Sequence, residues 1–299
     1  MAMKLSLGPI LYYWPEEQIR QFYREIADSA VDIVYLGETI CSKRRSLNLE
    51  QWIEIGQQLQ AAGKEVVLST LALLEAESEL KSLRKICGNG TFLVEANDLA
   101  AVNICAEQEI PFVVGHSVNL YNQGTMGVMA RCGMKRWVLP VELSKETLHE
   151  LQQHRPDGVE TEVFSWGKIP LAYAARCYTA RHYNLPKDDC QYRCLDDPDG
   201  ILLNTKEGQP FLTINGIQTQ SAQHNNLLGV MEEMKAEGVD VVRISPQSRF
   251  TPEIVQLFDQ RKREEITLQE GMDAANRLLP LGGVDGYWRG EAGIQPTEI

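Results

Sequence analysis

Cysteine supplies the most specific chemical pattern in this chain. Cys177, Cys190 and Cys194 fall in a polar, loop-like stretch, and Cys41 follows a strand-like apolar run far upstream. Thiolates are soft ligands that capture zinc or iron–sulfur clusters, and both commonly take four of them. Three clustered sulfurs and one distant sulfur complete such a set. Twelve residues separate Cys177 from Cys190 and three separate Cys190 from Cys194, so the last pair could share one face of a helical turn. The spacing is neither the tight pair of a zinc ribbon nor the dense run of a bacterial ferredoxin, and on its own it favours a cluster over zinc only slightly. Free cysteine also behaves as a small hydrophobe, but Asp188, Asp189, Gln191, Tyr192 and Arg193 make this a poor core segment. Cys87, Cys105 and Cys132 lie in or at the ends of helix-like stretches and read as packing residues.

The elements that must position these thiols follow from periodicity. Short apolar runs at 4–8, 32–37, 65–70, 92–96, 112–115, 136–141, 162–166 and 239–245 alternate with amphipathic stretches such as PEEQIRQFYREIADSA and NLEQWIEIGQQLQAAG. Eight βα units predict an α/β fold, a (β/α)8 TIM-like barrel of typical length. No G-x-G-x-x-G follows the first strand and no P-loop is present, which argues against an open dinucleotide-binding sheet. The whole chain, 1–299, reads as a single barrel domain. Its rhythm breaks at 168–229, an insertion after the seventh strand that carries three of the four cysteines and a hairpin-like ILLNT/FLTIN pair. The glycine-rich tail from Pro280 reads as loosely ordered or capping.

Barrel active sites lie at the C-terminal ends of strands. Cys41, Glu38, Thr70, Glu95, Asn97, His116, Asn119, Glu142 and Ser245 qualify by position. Each taken singly is explained by a strand-end hydrogen bond or a helix cap, as Asn97 or Ser144 would provide. His116 with Asn119 is the pair best suited to proton transfer near neutral pH. Glu142 is a strand-end carboxylate that either faces the mouth or pairs with Arg176 or Arg181. Ser42–Arg45 forms a cationic patch that is either a solvated loop or a charge balance for thiolates beside Cys41. Tyr12, Tyr13 and Trp14 read as barrel-bottom or staple packing, or as the wall of a ligand pocket.

Bulk properties narrow the classes. Lys plus Arg total 29 against 41 Asp plus Glu, giving a net charge of −12, which disfavours broad binding to phosphate backbones. Neither a signal peptide nor a membrane-spanning run is apparent, and an odd number of cysteines, seven, is the pattern of a reducing cytoplasm.

The segment EVFSWGKIPLAYAARC, 162–177, resembles the signature of the collagenase-like peptidase family of unassigned mechanism, E-V-F-x-H-G-x-x-C-x-x-Y-S-G-R-C. Glu162, Val163, Phe164, Gly167, Tyr173, Arg176 and Cys177 match, whereas Pro170 stands where the main branch has a cysteine. With SLGPILYYWP, VVLSTLALLEA, RWVLPVELS and VVRISPQ, nearly the whole chain is similar to the branch of that family that acts in oxygen-independent ubiquinone biosynthesis. The resemblance implies a 4Fe-4S cluster on Cys41, Cys177, Cys190 and Cys194, with Cys41 replacing the missing ligand. It also implies anaerobic hydroxylation of a prenylated aromatic substrate, with prephenate as hydroxyl donor. The implied partners are a homologous UbiU-like subunit in a heterodimer and a UbiT-like lipid-binding accessory protein.

Other functions make different demands. Proteolysis requires an activated nucleophile or an open metal site, and neither G-x-S-x-G nor H-E-x-x-H occurs. RNA hydroxylation, implied by other relatives in the family, is opposed by the acidic balance. A cluster- or zinc-stabilised subunit without catalysis of its own is the third reading.

Overall fold

Alternation within short strands builds the molecule, which a computed structural model describes from residue 3 to residue 297. In β1 (Lys4–Leu7) Leu5 and Leu7 turn outward to the helices while Ser6 turns inward. In β2 (Ile33–Leu36) Val34 and Leu36 face out, and Ile33 and Tyr35 face in. The same alternation continues through β3 (Glu65–Ser69), β4 (Leu93–Ala96), β5 (Phe112–Val114), β6 (Met134–Val138) and β7 (Glu160–Tyr173). After β8 (Ile201–Asn204), β9 (Pro210–Asn215) and β10 (Gln218–Asn226), β11 (Val241–Ile244) returns to the barrel and pairs in parallel with both β1 and β7. Eight parallel strands therefore close on themselves, as the eight βα units require.

The crossovers are α1 (Glu16–Ala27), α2 (Leu49–Ala61), α3 (Glu77–Cys87), α4 (Leu99–Glu107), α5 (Gln123–Arg131) and α6 (Lys145–Gln152). Later come α7 (Tyr178–His182) in the insertion, α8 (Met231–Ala236) before β11, and α9 (Thr251–Lys262) and α10 (Leu268–Arg277) after it. Caps follow local chemistry: Ser144 accepts from the Thr147 amide at the start of α6, and Asp98, rather than Asn97, caps α4. Cys87 and Cys105 are buried in the outer layer, as packing residues should be.

Apolar contacts within the barrel are few, formed by Ile33, Tyr35, Val67, Val113, Val138 and Val241. Charge fills much of the rest. Glu162, fully buried, accepts from Arg243 Nε at 2.7 Å, from Ser6 at 2.5 Å and from the Tyr35 hydroxyl. Arg243 reaches Glu95 at 2.7 Å, and Arg136 pairs with Glu65 and Glu160 at 2.9 and 2.6 Å. Burial opposes ionisation of Glu162, but Arg243 and Arg136 outweigh it and hold the carboxyl below the usual range. Such charges are tolerated inside because each finds an opposite charge across the barrel.

Three expectations are corrected here. The sixth strand starts at Met134 and ends at Val138, because Pro140 stops the ladder before 141. The seventh runs through Lys168 to Tyr173, so the chain leaves the barrel while still a strand, and its far half pairs antiparallel with β10. β8 and β9 form the expected hairpin, extended by β10. The tail is packed rather than loose: β12 (Gly283–Val284) pairs with β10, and Trp288 is buried.

Candidate functional site

The insertion brings its cysteines to the loop after β2. Cys41, Cys177 and Cys194 lie within electrostatic range of one another, and Lys43 is within range of both Cys41 and Cys190. Their backbones are set by local turns. The Glu38 carboxylate accepts from the Ile40 and Cys41 amides at 2.8 and 3.0 Å, pinning the loop on which Cys41 sits. Cys177 is the N-cap of α7, its sulfur accepting from the Ala180 amide at 3.4 Å. Cys190 and Cys194 do not share a helical turn, contrary to their spacing. Gln191 and Tyr192 between them adopt left-handed φ values of 51° and 52°, a strained pair for side chains with a Cβ. Tyr192 is braced by Tyr13, their ring centroids 5.9 Å apart.

Arg44 is the hub of this region. It is 5% exposed and donates to the Leu11 carbonyl at 2.8 Å and to Asn215 Oδ1 at 2.7 Å, with Glu38 at 3.8 Å. It also touches Cys194. Gly216 must lack a side chain here: its φ is +62°, and a Cβ would stand 2.9 Å from Arg44 Nη2. The Ser42–Arg45 patch is thus not a free solvated loop, since Lys43 also binds the Lys187 carbonyl and Asp188 across the gap to the insertion. Burial pushes the Cys41 and Cys194 thiols above their usual pKa, and Arg44 offsets only part of that rise.

Soft sulfurs gathered from two distant segments, beside buried positive charge, form a donor set suited to a thiolate-bound centre. Among the described residues, no three His, Cys, Asp or Glu side chains are close enough to hold a single metal ion.

Other residues singled out by position divide sharply. Glu95, Asn97, His116 and Ser245 line one cavity at the strand ends, together with Tyr173 and Arg243. Thr70 serves the backbone, donating to the Glu95 carbonyl and accepting from the Asn97 amide, both at 3.0 Å. His116 and Asn119 do not act as a pair. Asn119 is an exposed turn residue with φ 58°, whereas the partner of His116 Nε2 is Tyr173, at 3.1 Å. Glu142 is exposed and bonded by Tyr121, not by Arg176 or Arg181. Tyr12, Tyr13 and Trp14 lie at the mouth, not the bottom: Tyr12 joins Gln220 and Gln247, and Trp14 Nε1 donates to the Pro198 carbonyl at 2.7 Å. Arg44 and Arg243 were missed as individual residues, and the only signal was a charged residue inside or beside an apolar run.

Comparison with known proteins adds the following. The model of a family described as Peptidase family U32 matches residues 16–258. The tRNA hydroxylation protein P of Escherichia coli (strain K12) is 27% identical over 172 residues, covering 54% of this chain and 37% of that protein. This chain therefore spans well under half the length of that relative. A solved U32 peptidase aligns with a TM-score of 0.47 at 12% identity, over 83% of this chain and 94% of that one. A dihydrodipicolinate synthase family protein from Coccidioides immitis aligns at 0.50 and 9% identity, over 91% of this chain and 76% of that one, a likeness of fold alone.

Proposed function

The chain belongs to peptidase family U32, and from that membership and its gathered cysteines we propose that it is the iron–sulfur subunit of an oxygen-independent hydroxylation system. Its substrate would be the aromatic ring of ubiquinone precursors, as in the UbiV-like branch that the sequence resembles. The observation that carries this reading is that Cys41 and Cys194 lie beside the buried Arg44, with Cys177 near both and Cys190 near Lys43. Cys41, Cys177, Cys190 and Cys194 would hold a 4Fe-4S cluster. Such a group supplies single-electron transfer when bound, a redox centre that ring oxidation without dioxygen needs. The protein's own part is to fix the sulfurs, through Glu38 and the α7 turn, and to place Arg44 and Lys43 where they offset thiolate charge.

A UbiU-like homologue would complete the heterodimer, prephenate would donate the hydroxyl group, and a UbiT-like carrier would present the prenylated ring, all in the cytoplasm. Among the described residues no helix is long and apolar enough to cross a membrane, so delivery of a lipid substrate would fall to such a carrier. Proteolysis has no support in the site, which contains no paired nucleophile and base. A second reading, RNA hydroxylation, is favoured by the name of the Escherichia coli relative and opposed by a net charge of −12.

The test is an anaerobic assay of this chain with its homologous partner and prephenate, offered a prenylated phenol or unmodified tRNA, with products read by mass spectrometry. Hydroxylated lipid that requires this chain supports the reading. Hydroxylated nucleoside alone would replace it with the second, and hydroxylation by the partner alone would leave this chain without a catalytic part.

A further inference from the structure

A cleft walled by β7, β10, the start of α9 and the segment after α10 holds a buried lysine, Lys168. Trp166, Ile254, Leu278 and Leu279 give it an apolar lining, and its volume is about 220 Å³. A cavity of about 150 Å³ already takes a benzene ring, so this one has room for a ring and a small polar group.

Lys168 is 9% exposed. An ammonium has three donors, and among the described residues Lys168 uses one, to the Asp199 backbone carbonyl at 2.8 Å. The Asp199 carboxylate is turned elsewhere, accepting from the Ser248 amide at 2.7 Å and from the Ser248 hydroxyl. Burial holds the Lys168 pKa below the ordinary lysine value, and Asp199 offsets part of that fall. A charged group out of water with unfilled donors is costly, and an anion beside it removes that cost. Charge then sets the class of ligand. Lys168 and Arg249 bring two positive charges to the lining and Asp199 one negative, while burial pushes the His224 pKa down to about 4 and leaves that ring neutral at pH 7. The excess is one positive charge, which suits a monoanion. Arg249 is exposed, its guanidinium 4.8 Å from the Phe250 ring centroid, so it stands at the rim and Lys168 inside. The apolar lining favours a ligand with an apolar body over a bare inorganic ion.

We propose that this cleft binds a small monocarboxylate with an aromatic or other apolar body, its carboxylate on Lys168 Nζ and its body against Trp166, Leu278 and Leu279. No cysteine lines the cleft, so the site stands or falls separately from the cluster.

The experiment titrates benzoate, benzyl alcohol, benzylamine and acetate into the full chain by calorimetry. Benzoate is expected to bind, and each of the other three to bind at least about tenfold more weakly. Lys168→Met keeps the length of the side chain without its charge, and circular dichroism checks that it folds. It should lose about 10–100-fold in benzoate affinity, the worth of a hydrogen bond between charged groups, and leave the weak binding of benzyl alcohol unchanged. Arg249→Gln, a surface change, should lose only a few-fold. If Lys168→Met does not fold, the ranking of the four probes on the native chain decides alone. Benzyl alcohol, benzylamine or acetate binding as well as benzoate, unchanged benzoate affinity in folded Lys168→Met, or no binding of benzoate would overturn the proposal.

Discussion

Replacing Glu162 with Gln tests the polar interior directly. The carboxylate accepts from Arg243 Nε and Ser6 on one oxygen, at 2.7 and 2.5 Å, and from Tyr35 on the other, with Arg136 Nε at 3.9 Å. A glutamine keeps one acceptor but must turn its amide donors toward groups that also donate. Breaking a buried pair costs about 3–5 kcal/mol. Arg243 retains Glu95, and Arg136 retains Glu65 and Glu160, which sets the expectation near the lower end, about 3 kcal/mol. At about 2–3 °C per kcal/mol for a chain of this size, Tm should fall by about 6–9 °C in thermal unfolding at pH 7. The gap should close in acid. Glu162 has a lowered folded pKa, so its contribution is fully present above the ordinary carboxylate value and is lost as pH falls through the folded one. Glu160→Gln is the control, its side chain 32% exposed, with an expected loss of about 1 kcal/mol or less. A Glu162→Gln chain within about 1 kcal/mol of wild type at pH 7 would refute the claim that paired charge holds the barrel centre.

Burial pushes the pKa of His116 and of His224 down to about 4. The unfolded chain then binds more protons between about pH 6.5 and 4, so stability should fall as pH drops through that window. His224→Gln should remove roughly half of that fall in urea titrations, and an unchanged slope would argue against a buried neutral imidazole. Gly167 has φ +124°, and a Cβ there would lie 2.6 Å from Ser245 Cβ. Gly167→Ala should therefore lose about 3 kcal/mol in urea unfolding, and a loss below about 1 kcal/mol would contradict the close approach of β7 and β11.

The barrel was legible because β-branched runs such as Ile33–Leu36 and Val241–Ile244 carry their signal locally. The polar strand β10, QTQSAQHNN, was not, since nothing in its composition favours a strand and its neighbours β7 and β9 impose one. The length of β7 was hidden in the same way, since its far half, with Gly167 and Pro170, is held as a strand by pairing with β10. The partners of Glu95, Glu162 and Arg243 could not be read from the sequence, because they lie across the barrel: Glu95 and Arg243 are 148 residues apart in the chain. Cys41, Cys177, Cys190 and Cys194 stood out because thiols in polar segments are chemically conspicuous. Arg44 did not, because a cationic run gives no sign of which member is buried.

The most direct measurement is anaerobic purification with iron, sulfide and zinc quantified, in the native chain and in Cys41→Ala, Cys177→Ala, Cys190→Ala and Cys194→Ala. Four iron and four sulfide per chain in the native protein, falling away in every variant while Cys132→Ala retains them, is the predicted result. Zinc in place of iron, or a cluster indifferent to Cys41, would contradict the account.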